Sequence, residues 1–266
     1  MHPEAAGLRL DFLESHSGLV MNGLRSSEPA GTAENTSEAP GYPGVISAGT
    51  FALPAGICGP LPLGGEHEPC YVPLATTEGA LTASYHRGAR ALMQAKTLEI
   101  SVEKKGDYFE TSASALIPQD VVSQVLQSSP AAMYKYWTAA CMGIMSTASK
   151  GANGHFANGL TAFSLACGIN PAHIPQSAEG IVILREEGND LRACVQLPAL
   201  QIDFQPEKKL HDTVFECRCI AGLNSHEPEH AARMATALLL AGELSIMAAI
   251  AAGHFARAHR KLGRKK

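Results

Sequence analysis

The chain lacks several features that would place it in a common class. Its 266 residues carry 21 Lys and Arg against 25 Asp and Glu, so no basic excess points to a nucleic-acid partner. No positively charged segment leads into an apolar run near the first residue, and no secretory signal is evident. No glycine-rich nucleotide fingerprint follows a predicted strand.

The seven cysteines are scattered and lack the paired spacing of a zinc site, apart from Cys217 and Cys219, which have no second pair. This usage predicts reduced thiols of a cytoplasmic protein, with disulfides as the alternative. One apolar run, residues 235–252, is long enough to suggest a membrane span. Glu243 lies in its middle, where a charge costs a few kcal/mol in lipid. We therefore expect no membrane association and a helix packed inside the protein.

Apolar periodicity predicts an α+β fold with a long buried central helix. Residues 1–44 are expected to form a flexible leader with a short helix, and residues 45–266 to form the folded domain. Strand pairs are predicted at 96–104 with 108–117 and at 180–186 with 190–197, and the sheet can extend to 200–204 and 214–219. Helices are predicted at 77–96, 118–127, 131–147, 158–167 and 229–259.

The most informative motif covers residues 72–81, Val-Pro-Leu-Ala-Thr-Thr-Glu-Gly-Ala-Leu. Glu78 lies where an apolar extended run ends and an Ala-rich helical pattern begins. Backbone N–H groups at a helix start have no partner within the helix, and anions are favoured there. The carboxylate of Glu78 therefore either caps this helix or faces a ligand.

This motif and three further blocks resemble class I hydroxymethylglutaryl-CoA (HMG-CoA) reductases. The blocks are residues 53–61 running into Glu78, residues 108–127, residues 142–168 and residues 241–254 extending to His259. The resemblance implies the family's large, substrate-binding domain, into which a small ferredoxin-like, NADPH-binding domain is inserted. Here residues 88–96 pass almost directly to the first strand pair, where the family places that insert. We expect the small domain to be absent, and no cofactor.

The resemblance also implies the site residues. Glu78 matches the family's catalytic glutamate and His259 its general-acid histidine, with His155 and Asn158 in the same pocket. The implied substrate-binding residues are Ser84, His86 and Arg87, which fall where family members contact CoA, together with Asn170 and Lys150. Asn170 stands at the position of the family's catalytic aspartate, and Lys150 could restore a cation lost with the insert. The alternatives are a terminal helix histidine for His259 and a surface lysine for Lys150.

Two functions follow from this set of residues. The first is a non-redox acid–base enzyme acting on an acyl thioester or polyketide-like substrate by dehydration, isomerisation or cyclisation, in specialised metabolite biosynthesis. The second is a catalytically silent binding or scaffold protein, with an HMG-CoA reductase of atypical cofactor site as a further alternative. The expected partners are the small acyl substrate and a second copy of the chain in a homodimer, because the family's active site forms at a two-fold interface.

Overall fold

Two antiparallel sheets form the β part of the fold. The larger sheet contains β3 (Thr97–Lys105), β4 (Tyr108–Ile117), β5 (Ile181–Glu187) and β6 (Asp190–Leu200), in the order β3-β4-β6-β5. In β4 and β6, buried side chains alternate with more exposed ones. The smaller sheet pairs β1 (Ala55–Leu61) with β2 (Cys70–Ala75). Gly106 and Gly188 turn the two hairpins of the larger sheet at φ values of 65° and 63°, in the left-handed region that glycine adopts readily. Both predicted strand pairs are confirmed.

The helices cover the sheets. The structure is a computed structural model, which describes residues 52–148, 151–206, 210, 212–223 and 227–255, together with residues 11, 14, 15 and 20. They are α1 (Gly79–Leu92), α2 (Gln119–Gln124), α3 (Pro130–Met145), α4 (Phe156–Cys167), α5 (Ile174–Ser177), α6 (Asp212–Ile220) and α7 (Pro228–Ala251), with a 3-10 turn at Pro171–His173. The predicted leader helix lies almost wholly outside the described residues. The predicted α+β fold is confirmed.

The helix α7 is the centre of the core. It packs against α1, α3 and α4 and lies on one face of the larger sheet. Its mean hydropathy of 1.9 over an 18-residue window would suit a membrane span, but 83% of that window is buried inside the protein. Thr236 on α7 lies 2.7 Å, oxygen to oxygen, from Thr111 on β4, which joins helix and sheet by a buried hydrogen bond. The apolar side chains of α7 are therefore buried mainly against other parts of the same chain.

Close contact between α1 and α7 depends on glycine. A Cβ atom added to Gly88 on α1 would lie 1.8 Å from the carbonyl oxygen of Ala241 on α7. Gly242, the next residue of α7, lies against the ring of Tyr85. The two backbones can approach this closely only because neither glycine carries a side chain.

The connection from α1 to the larger sheet is short. α1 ends at Leu92 and β3 begins at Thr97, and the N–H of Lys96 already donates to the carbonyl of Leu116 on β4. This agrees with the predicted absence of an inserted domain at this point of the chain.

The strand predicted at residues 214–219 is wrong, because this segment belongs to α6. A buried Arg218 connects this helix to α4. Its guanidinium donates to the carbonyls of Cys167 and Gly168 at the end of α4. Unpaired carbonyls at a helix end attract such donors.

Candidate functional site

Glu78 lies at the junction of β2 and α1, as the sequence predicted. It is the residue that precedes the first turn of α1, with φ −89° and ψ 94°, and its side chain makes no capping hydrogen bond. Its own N–H donates to Oγ1 of Thr76 at 3.0 Å. The capping role is therefore unused, and the exposed carboxylate is available to other groups.

Asn158, in the first turn of α4, contacts that carboxylate. Its Nδ2 lies 3.4 Å from Oε1 and 3.5 Å from Oε2 of Glu78. α4 is held in this place by Asn153, whose Oδ1 accepts from the N–H of Phe156 and whose Nδ2 donates to the carbonyls of Ala178 and Gly180. The structure brings together two residues that are 80 positions apart in the sequence.

His155 lies at the start of α4 with one ring nitrogen bonded to Glu243 on α7. The Nδ1 atom is 2.8 Å from Oε1 of Glu243, and the side chain of His155 is only 10% exposed. The other ring nitrogen, Nε2, is buried and has no hydrogen-bond partner in the part of the chain that the structure describes. Sequence reasoning treated Glu243 only as an argument against a membrane span. A lone carboxylate within an apolar helix was the signal for a buried partner.

Tyr85 on α1 packs against His155, with 5.2 Å between ring centroids. Its hydroxyl is buried and has no partner among the described residues. A Cβ atom on Gly159 would lie 2.1 Å from this oxygen, so glycine is what makes room for the ring. Burial, followed by the charge of Glu243, raises the pKa of Tyr85 well above its ordinary value. The hydroxyl therefore stays protonated at neutral pH.

A cavity of about 570 Å³ opens beside the start of α4. Its volume falls within the usual range of small-molecule sites, roughly 300–1,000 Å³. Its lining consists of Ala148, Gly151, Asn153, Gly154, His155, Ala157, Asn158, Pro175, Ala178 and Glu179. Glu78 is outside this lining and contacts one of its residues, Asn158. The described residues contain no cluster of three His, Cys, Asp or Glu side chains able to hold a metal ion.

A sequence profile described as hydroxymethylglutaryl-coenzyme A reductase matches residues 46–108 and 95–264. The chain belongs to the HMG-CoA reductase family. The two matched segments overlap at residues 95–108, where the chain passes from α1 into the β3–β4 hairpin.

Two curated relatives give the extent of the similarity. The 3-hydroxy-3-methylglutaryl-coenzyme A reductase of Methanothermobacter thermautotrophicus is 37% identical over 155 residues, covering 58% of this chain and 39% of the relative. Reductase 2 of Saccharomyces cerevisiae is 32% identical over 166 residues, covering 58% of this chain and 16% of the relative. The chain thus matches less than half the length of each.

A solved structure with the same fold is the class II HMG-CoA reductase of Streptococcus pneumoniae bound to NADPH. It superposes with a TM-score of 0.59 over 92% of this chain and 96% of that chain, at 12% sequence identity. The prediction of a non-redox lyase, isomerase or cyclase, including a polyketide-type substrate, is wrong, because the relatives that share these sequence blocks are reductases. Loss of a domain and retention of an acid–base set did not justify a change of reaction class.

The three residues matched to the family's CoA contacts lie on α1 with different surroundings. Arg87 donates from Nε to Oγ of Ser245 at 3.0 Å and from Nη2 to the carbonyl of Ser245 at 2.7 Å. Oγ of Ser84 lies 2.9 Å from the same Oγ of Ser245. His86 is exposed. Burial lowers the pKa of Arg87. Ser84 and Arg87 thus tie α1 to α7 within the chain, and contact with CoA stays a prediction.

Asn170, which matches the family's catalytic aspartate, lies beyond the far end of α4 from Asn158. The 12 residues of α4 span roughly 18 Å at the usual rise per residue. Oδ1 of Asn170 accepts from the N–H of Ala172, and its Nδ2 donates to Oδ2 of Asp203 at 3.1 Å. Within one chain, Asn170 is therefore held apart from Glu78. The remaining predicted site residues, Lys150 and His259, lie outside the described residues.

Proposed function

We propose that this chain binds 3-hydroxy-3-methylglutaryl-CoA and acts in its reduction, as a substrate-binding domain of the HMG-CoA reductase type. The observation that supports this most directly is the contact between Glu78 and Asn158 beside the cavity. Both residues match the family's pocket, and they meet although they come from separate sequence blocks. We place the protein in the cytoplasm.

Glu78 supplies the group for proton transfer in this proposal. Its carboxylate is exposed at the start of α1, where the partial positive charge of the helix end favours negative charge that develops on a substrate oxygen or sulfur. Asn158 donates to the carboxylate and fixes its orientation. Because Nε2 of His155 has no described protein partner, it is free to bond a polar group of the acyl chain.

Reduction of a thioester also requires hydride, which a nicotinamide cofactor supplies in this family. The described residues form no separate nucleotide-binding unit. The strands of the larger sheet are joined within each pair by tight hairpins, and the connection at residues 93–96 leaves no room for a separate nucleotide-binding unit. The proposed part of the described residues in the reaction is therefore to hold the thioester and to place Glu78 beside it.

Oxidation of NADPH by the purified chain, followed with and without HMG-CoA, tests this function. HMG-CoA-dependent oxidation with release of CoA would support the whole proposal. Binding of HMG-CoA without oxidation would limit the function to recognition of the thioester. A folded chain that neither binds HMG-CoA nor oxidises NADPH in its presence would contradict it.

A further inference from the structure

Glu243 is a fully buried carboxylate that the proposed chemistry does not use. It lies in the middle of α7 with no exposed surface. Oε2 accepts a hydrogen bond from the backbone N–H of Gly154 at 2.8 Å. Oε1 accepts one from the backbone N–H of His155 at 2.8 Å and also lies 2.8 Å from Nδ1 of His155. A buried carboxylate is tolerated only with this kind of hydrogen bonding.

These bonds decide how the imidazole of His155 is presented. An ionised carboxylate can only accept hydrogen bonds, so Nδ1 of His155 must carry a proton when it bonds Glu243. The free Nε2 is then the nitrogen left for a ligand. It is buried, it has no partner among the described residues, and His155 lines the cavity. The ring of Tyr85, 5.2 Å away, packs against the imidazole and restricts its rotation.

The start of α4 is held by Asn153 as well as by this carboxylate. Asn153 accepts from the N–H of Phe156 in the first turn and ties it to the segment just before β5. An apolar side chain at position 243 would suit the core around α7 better than a charge. Gly154 approaches so closely that a Cβ atom there would lie 2.9 Å from Oε2 of Glu243. The local backbone is therefore arranged around this carboxylate.

We propose that Glu243 is a positioning residue for the substrate pocket, which keeps the proton of His155 on Nδ1 and presents Nε2 to a polar group of the bound acyl chain. This rests on the proposed function, since it assigns His155 to HMG-CoA. Glu243 itself touches no substrate and acts through His155.

The first measurement is the tautomer of His155 in the ligand-free protein, by long-range proton–nitrogen NMR with the resonances assigned by comparison with His155→Gln. The expected result is a protonated Nδ1. A bare Nδ1 with the proton on Nε2 would overturn the proposal. The tautomer is read from the ligand-free wild-type protein, and His155→Gln serves only to assign its resonances. The result therefore does not depend on whether HMG-CoA binds, so it is separate from failure of the proposed function.

The second measurement is a double-mutant cycle on the Kd of HMG-CoA. Glu243→Gln keeps the shape of the side chain and removes its charge. We expect it to weaken binding about 10-fold in the wild-type background and less than about 2-fold in the His155→Gln background, because the two residues act as one unit. An equal loss in both backgrounds would assign Glu243 a purely structural role and would overturn the proposal.

Discussion

Nδ2 of Asn158 lies 3.4 Å from Oε1 of Glu78, and this contact joins the start of α4 to the start of α1. Both side chains lie on the first turns of their helices or just before them, where backbone N–H groups point outward. In the proposed function, this pair combines a proton-transfer group with an environment that favours developing negative charge.

The first prediction concerns Glu78→Gln, which removes the acid–base group and keeps its size. We expect HMG-CoA-dependent turnover to fall by about 100-fold or more, the usual scale for a general acid or base, with a change in the Kd of HMG-CoA of less than about 3-fold. Steady-state rates and calorimetry on the same samples measure both effects. Glu66→Gln, in an exposed turn, is the matched control and should leave both values unchanged. Full activity in Glu78→Gln would remove this residue from the chemistry.

The second prediction concerns the contact between α1 and α7. Gly88→Ala places a methyl group 1.8 Å from the backbone oxygen of Ala241, so the helices must separate. We expect the free energy of unfolding to fall by about 3 kcal/mol, measured by urea denaturation.

Gly143→Ala is the matched control for this substitution. It lies in α3, and an added Cβ atom meets nothing within 4 Å. We expect a gain in the free energy of unfolding of up to about 1 kcal/mol, because alanine favours the helix. Similar stabilities of the two variants would mean that α1 and α7 do not approach as closely as described.

The third prediction concerns the cysteines, which are all free. Burial raises the pKa of Cys58 to about 12, so its thiolate fraction at pH 8 is on the order of 10⁻⁴. Cys219 is exposed. Alkylation with iodoacetamide at pH 8, read by peptide mass spectrometry, should modify Cys219 first and leave Cys58 intact until the protein is unfolded in guanidinium. Equal rates at the two cysteines in the folded protein would contradict the burial of β1.

The fourth prediction concerns the homodimer. The apolar residues of α7 are packed within the chain, so this helix does not itself require a partner. Two strongly exposed apolar side chains lie on α3 instead, where Met142 and Met145 are 68% and 86% exposed. We expect a dimer by light scattering at micromolar concentration, and a monomer when both residues are replaced by Lys. Met93→Lys, 44% exposed at the end of α1, should remain dimeric. A monomeric wild-type protein would contradict the predicted assembly.

Much of the fold could be predicted because its signals are local. The β3–β4 and β5–β6 hairpins follow from alternation around Gly106 and Gly188, and α7 follows from a long apolar run. The segment 214–219 was predicted wrongly, and its anchoring contact, from Arg218 to carbonyls about 50 positions away, is not visible in the local sequence.

The site was predicted only in part for the same reason. The structure brings Glu78, His155 and Asn158, which the family blocks singled out, into one region, and their roles there stay predictions. They gave no sign that Glu243 holds His155 or that Tyr85 packs on it, because those contacts link α7 and α1 to α4 across long separations in the sequence. Asn170 matches a catalytic position in the family, yet Asp203 and Ala172 hold it at the other end of α4.

The most direct test of the proposed function is calorimetric titration of the purified chain with HMG-CoA. The proposed function predicts saturable binding at one site per chain with a Kd in the micromolar range, typical of enzyme substrates. It also predicts that Asn158→Ala changes this Kd by less than about 3-fold, as Glu78→Gln does, because Asn158 acts on the orientation of Glu78. Absence of saturable binding up to millimolar HMG-CoA, in a chain shown to be folded, would contradict the proposed function.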